Sequence, residues 1–335
     1  MKNSQLNDNQ EISASKLKIN IINQSTKNPS LTNKPQLKRN QNNEDINIPL
    51  NNDLNTSNTN DNNIPSISVS LLKQLVNKAD KLEIEIINSL LLDSNTKIEI
   101  NALGMVQGSK RKEKDGITYF GLIDENNSYI DTTSNEDIDY IINANDIGDN
   151  NNLLGRHFRI RFDINKMKYF IKDLGKGYGT FKKIIEKEKI KDSYLLNIGN
   201  SYIVCTFGLD EYYQEGDKIE DDDNILNIKV FSEVPQTEPH FFNPKQFKRI
   251  YIGRDISCNI IIDDSLLSRI HCTLEYDDEE GWVIYDGKID DNENKKSTNG
   301  TWLYLIEEIP IENGLIFKNN KNAFECHIIH QNQNE

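Results

Sequence analysis

The chain contains no run of eighteen apolar residues, and its opening MKNSQLNDNQ has none of the apolar stretch that a secretory leader needs. A membrane-spanning helix and an export signal are therefore not expected, and the sequence reads as intracellular, either cytoplasmic or nuclear. Cationic residues are in deficit: 39 Lys and Arg stand against 53 Asp and Glu, a net charge of -14. A phosphodiester backbone repels that balance, so nucleic acid is not an expected partner. Cysteine is sparse, and Cys205, Cys258, Cys272 and Cys326 form no C-x-x-C pair, nor is there any H-x-x-x-H. Cys258, His271, Cys272, Cys326 and His327 thus lack the spacing of a zinc site, and the thiols read as small buried hydrophobes. Neither a metal nor a cofactor is expected. The V-A-I-K, H-R-D and D-F-G set of protein kinases is missing, as is a G-x-S-x-G elbow. Ser268, His271 and Asp286 are the residue types of a hydrolase triad, but without the elbow no catalytic residue is assigned and no enzyme is expected.

Mean hydropathy is -0.67 with 36% hydrophobic residues, low for a chain packed throughout. The deficit is concentrated at the start. Residues 1–66 are rich in Asn, Ser, Thr, Lys and Asp, with almost no aromatics. They cannot bury enough apolar surface to offset a backbone ordering entropy of about 1–2 kcal/mol per residue, and are expected to be disordered. Over 67–96 the spacing of Val69, Leu72, Val76 and Ala79 predicts an amphipathic helix docked on the domain after it. Alternation then takes over at Leu82, Ile84 and Ile86. Short alternating runs separated by Gly, Asn and Asp clusters point to an all-β sandwich architecture. Residues 209–224, including DEYYQEGDKIEDDDN, read as an acidic linker.

The stretch from Asp173 to Phe181, DLGKGYGTF, resembles a nucleotide-binding glycine loop, but its glycines fall at intervals of two and miss the G-x-G-x-x-G spacing. Its counterpart lies within the chain. Sliding it onto Ser297 to Leu303, STNGTWL, superposes Gly179 on Gly300, Thr180 on Thr301 and Phe181 on Trp302. Upstream, Tyr169 to Asp173 matches Trp282 to Asp286, and Gly155-Arg156-His157 matches the Ser268-Arg269-Ile270-His271 region. Asp139 to Asn143 matches Asn259 to Asp263. Four blocks recur in order, so the sequence predicts two copies of one β domain, over 97–208 and 225–330. The segment Thr180 to Ile190, whose charges also suit a helix, is read as strand on this ground.

The second copy resembles a forkhead-associated (FHA) domain. The resemblance rests on Gly253-Arg254, Ser268 through His271, and Thr298-Asn299-Gly300, each beside a strand-like run. It implies a two-sheet β-sandwich whose loops grip a phosphothreonine in a partner protein, and hence a non-enzymatic adaptor. Phosphothreonine carries about -1.5 to -2 charges and three acceptor oxygens. Arg254 supplies a planar, permanent cation for them. By the family pattern Ser268 and Thr298 donate hydroxyls, Asn299 bonds the peptide backbone, and Arg269 reaches peptide or phosphate. Gly253, His271 and Gly300 are implied to be structural. Residues 245–335 carry ten cations and seventeen anions, so 10 − 17 = -7. Yet Arg254, Arg269, Lys295 and Lys296 all lie in or beside the motif loops, which predicts a locally positive field. The first copy is degenerate: Leu122 stands where Arg is needed, Leu154 replaces the serine, and Gly177-Tyr178 replaces Thr-Asn. A polar insertion from Asp124 to Glu136 separates two of its strands. A phosphate-independent structural role in a larger assembly is the alternative, and oligomeric state is left open.

Overall fold

A computed structural model describes residues 68–89, 92–123, 138–142, 154–208, 224–234, 236, 238–290 and 294–331. The Asn-rich tail, the insertion from Asp124 to Glu136 and nearly all of the acidic 209–224 stretch lie outside them. Helix α1 (Val69–Leu75) buries Leu72 completely in the first hydrophobic core, and Ala79 follows it in, while Val69 faces solvent. Only part of the predicted apolar face therefore docks.

Among the described residues, the other regular elements are strands. The first copy contributes β1 (Lys81–Asn88), β2 (Lys97–Asn101), β3 (Gly104–Met105), β4 (Ile117–Leu122), β5 (Tyr140–Ile141), β6 (Gly155–Asp163), β7 (Lys168–Asp173), β8 (Thr180–Lys183), β9 (Lys187–Lys189), β10 (Tyr194–Ile198) and β11 (Ser201–Phe207). The second contributes β12 (Leu226–Phe231), β13 (His240–Phe242), β14 (Arg249–Gly253), β15 (Ile260–Ile261), β16 (Cys272–Asp277), β17 (Gly281–Asp286), β18 (Lys288–Ile289), β19 (Asn294–Lys295), β20 (Thr301–Tyr304), β21 (Ile309–Pro310), β22 (Ile316–Asn319) and β23 (Asn322–Ile329). Alternating burial in β1, with Leu82, Ile84 and Ile86 inward, makes it the counterpart of β12. The first repeat therefore starts its sandwich about sixteen residues before position 97.

The two sandwiches are interlocked. One sheet of eleven strands runs β13-β12-β11-β10-β20-β8-β22-β23-β1-β2-β3, and two five-stranded sheets, β15-β14-β16-β17-β9 and β21-β7-β6-β4-β5, complete the walls. The hairpin β10–β11 of the first copy thus pairs with β12 and β20 of the second. The hairpin β22–β23 of the second pairs with β1 and β8 of the first. Short strands cross in the same sense, β9 joining β17 and β21 joining β7. The two halves meet where β8 pairs with β20, with Phe181 opposite Tyr304 and Trp302 opposite Lys183.

The cores record the same exchange. The first contains Leu305, Ile311, Phe317, Phe324 and Cys326 from the second copy. The second core contains Ile184, Ile190, Leu196, Ile198, Ile203 and Cys205 from the first. Residues 97–208 and 225–330 are therefore stretches of chain, each shared between two sandwiches. Phe181, Leu195, Val204, Trp302 and Tyr304 cluster at the junction. Over them lies Lys318, whose Nζ donates to Asn197 Oδ1 at 2.5 Å and sits 4.5 Å from the Trp302 ring centroid. Burial pulls its ammonium down to a pKa of about 7.

Cys205, Cys258, Cys272 and Cys326 are all buried free thiols, and burial raises the pKa of each. Among the described residues no helix is long and apolar enough to cross a membrane.

Candidate functional site

Gly253 ends β14 and must be glycine: a Cβ there would lie 2.2 Å from the Arg269 carbonyl oxygen. This close approach laces the first motif loop to the second. Arg254 N–H donates to Ser268 O at 3.3 Å, Asp255 N–H donates to Arg269 O at 3.1 Å, and Cys258 Sγ donates to the same carbonyl at 3.2 Å. With the backbone fixed in this way, the Arg254 and Arg269 side chains stand exposed, and no side-chain partner is formed by either among the described residues. The nearby Asp255 carboxylate is turned onto Ser257, whose N–H and hydroxyl donate to it at 3.0 and 2.8 Å. Those bonds, with smaller contributions from Arg269 and Arg254, hold its pKa below the usual 3.8.

The second and third loops meet at hydroxyls. Ser268 Oγ donates to Thr298 Oγ1 at 3.3 Å and accepts from Thr298 N–H at 3.0 Å. Asn299, itself exposed, donates from Nδ2 to Leu266 O at 2.7 Å. His271 locks the backbone beneath. Ser268 N–H donates to its Nδ1 at 3.1 Å, so Nε2 carries the proton and donates to Gly300 O at 3.1 Å. Both ring nitrogens are thus engaged by main chain, and the ring is neutral. Asp286 instead accepts from Ser297 Oγ at 2.6 Å and Thr301 Oγ1 at 2.8 Å. Ser268, His271 and Asp286 therefore lack the serine–histidine and histidine–carboxylate bonds of a hydrolase triad. Gly300, at φ +78°, makes the turn that an L side chain rarely adopts.

Burial is the largest influence on His271 and lowers its pKa from 6.5. The unfolded chain consequently binds a proton that the folded ring refuses. Stability from this group is complete above pH 6.5 and declines as pH falls toward the lower native value. We expect the His271 ring resonances to keep their neutral positions below pH 6.5 in an NMR titration, and titration at or above 6.5 would contradict the effect of burial on this ring.

The first copy retains the frame without the donors. A Cβ on Gly121 would lie 2.0 Å from Gly155 O, the same contact that Gly253 makes. Leu154 and Leu122 present no polar group. Arg156 lies over the Tyr119 ring at 3.7 Å. Gly177 presses on His157 so closely that a Cβ would fall 2.5 Å from the ring. His157 Nδ1 is 3.0 Å from Asn319 Oδ1, an asparagine of β22, which also donates to Gly179 O at 3.2 Å. The glycine-rich DLGKGYGTF stretch is a turn between β7 and β8, with Gly175, Gly177 and Gly179 all at positive φ.

Sequence reasoning passed over Asp264, Asp286 and Ser297 as parts of this site. Asp286 and Ser297 carried one usable signal, an aspartate closing a strand just before a serine-bearing turn. Asp264 carried none, because the partners of its Oδ2 come from the other copy.

The loops of this β-sandwich bring exposed cations and a pair of hydroxyls to one end of it. The FHA domain model matches residues 250–319, which marks that stretch as an FHA domain, a class of phosphopeptide-binding module. The matched residues run from β14 through β22, and so pass from one sandwich into the other. Among solved structures, Rv1747 FHA-1 from Mycobacterium tuberculosis is similar at 20% identity, over 28% of this chain and 91% of its own, with a TM-score of 0.16. No curated protein matches the chain.

Proposed function

We propose that the protein is an adaptor whose second copy binds phosphothreonine in a partner, while the first copy binds no phosphate. The observation that carries this reading is the hydroxyl pair. Ser268 Oγ and Thr298 Oγ1 lie 3.3 Å apart, and Thr298 Oγ1 accepts from Ser268 and has its own proton to give. An anion seated between them takes that proton and draws the Ser268 hydroxyl round, so two donors converge on one place. Arg254 supplies charge from the adjoining loop, and Arg269 from the loop of Ser268 itself. Charged hydrogen bonds contribute about 1.5–3 kcal/mol each, so three of them less ordering costs give affinity of roughly micromolar order.

The test is capture. An immobilised degenerate peptide pool centred on phosphothreonine is expected to retain the full chain, and the same pool treated with phosphatase is expected to release it. Equal retention on both pools would favour a phosphate-independent assembly role instead.

A further inference from the structure

The loops of the second copy are anchored on residues of the first. Asp264, nine-tenths buried, opens the loop that carries Ser268 and Arg269. Its Oδ1 accepts from Leu266 N–H at 2.9 Å within its own loop. Its Oδ2 faces the turn of the hairpin β10–β11, where Asn200 N–H donates at 2.8 Å and Ser201 Oγ at 2.9 Å. Gly199 completes the approach, since a Cβ there would lie 2.7 Å from that oxygen and 3.2 Å from Leu266 Cβ. The third loop is held separately. Lys296 Nζ donates to Ile185 O, and Lys183 lies so close to Gly300 that a Cβ on the glycine would fall 2.9 Å from its Cε. Lys183, Ile185, Gly199, Asn200 and Ser201 all belong to the first copy.

We infer that the first copy, though it lacks the phosphate donors, completes the phosphopeptide site of the second by clamping Asp264 and the Gly300 turn. This rests on the phosphothreonine reading of that site. The physical reason is preorganisation: loops already fixed lose less entropy when a ligand orders them. Removing a donor from Asp264 frees the chain from Leu266 to Ser268 and lets the hydroxyl pair separate. Asp264 and Ser201 are thus positioning residues, acting on the ligand through Ser268.

Ser201→Ala removes one donor and Asp264→Asn leaves one acceptor oxygen for donors on both sides and turns an amide on the rest, while Ser201→Thr keeps the hydroxyl. All three are made in the full chain and tested on the phosphothreonine pool. Ser201→Ala and Asp264→Asn are expected to weaken capture by about 3-fold to 10-fold, with Ser201→Thr within about 2-fold of the parent. Amide hydrogen exchange at Leu266 and Ser268 is expected to quicken in Ser201→Ala while strand amides of β16 and β17 stay protected, a local change that general destabilisation does not produce. Undiminished capture by both weakened variants would overturn the inference. If the parent itself ignores phosphate, the functional reading falls, and the exchange rates alone decide the clamp: unchanged rates at Leu266 and Ser268 would reject it.

Discussion

Cutting the chain between residues 208 and 224, at an introduced protease site, is expected to leave the two fragments bound together under native conditions. Residues 225–331 expressed alone are expected not to fold. The exchanged strands are the reason. Separating the fragments strips Leu305, Ile311, Phe317, Phe324 and Cys326 from the first core and six residues of 184–205 from the second. At about 1.5–3 kcal/mol for each large apolar side chain, either loss is on the order of 10 kcal/mol, comparable with the whole stability of a typical domain. It also leaves β12 and β23 with unpaired edges facing solvent. Size-exclusion chromatography of the nicked protein, with far-UV circular dichroism of residues 225–331, checks both statements. Two separately folded fragments would show that the copies close on themselves.

The second large effect concerns one guanidinium. Arg254→Ala is expected to reduce phosphothreonine-peptide affinity by at least about 30-fold and to leave the unfolding midpoint almost unchanged. The energetic argument has two parts. A charge-assisted, two-pronged contact to phosphate is lost, at about 2–5 kcal/mol, where each 1.4 kcal/mol is tenfold. The fold loses little, because the Arg254 side chain is exposed and unpaired among the described residues, while the loop is held by backbone bonds that alanine preserves. Isothermal titration calorimetry and thermal unfolding on the same preparations separate the two. Unchanged affinity would remove Arg254 from the site. Arg254→Lys is informative beside it, since lysine restores the charge without the planar fork.

Much of this could be read in the sequence, for identifiable reasons. The motif residues Gly253-Arg254, Ser268-x-x-His271 and Thr298-Asn299-Gly300 are short local patterns, each obligatory for its own backbone contact. Gly253 meets Arg269 O, His271 bridges Ser268 to Gly300, and Gly300 sits at positive φ. Alternation in Leu82, Ile84 and Ile86 likewise revealed a strand. The exchange was illegible because the two hairpins are interchangeable on paper. Leu196, Ile198 and Ile203 in one, and Phe317, Phe324 and Cys326 in the other, offer the same inward apolar face to either sandwich. Which one each enters depends on the path taken after β8 and β20, and the strand pattern does not specify that path. Asp264 was hidden for the same reason: Asn200 and Ser201 stand more than sixty positions away, in what reads as another domain.

The pairing of β1 with β23 has a consequence for biosynthesis. Leu82 lies opposite Ile328 and Ile84 opposite Cys326, so the first of the described strands to be made waits for the last of them. Partners so far apart in the chain form slowly, since the loop must close before the contact is rewarded. Until then the first sheet stands with an open edge, and the first sandwich is not finished before β22 and β23 emerge, although the second has all its strands by β20. A newly made chain is therefore dependent on protection from aggregation for longer than its two modest domains would require if each closed as it was made.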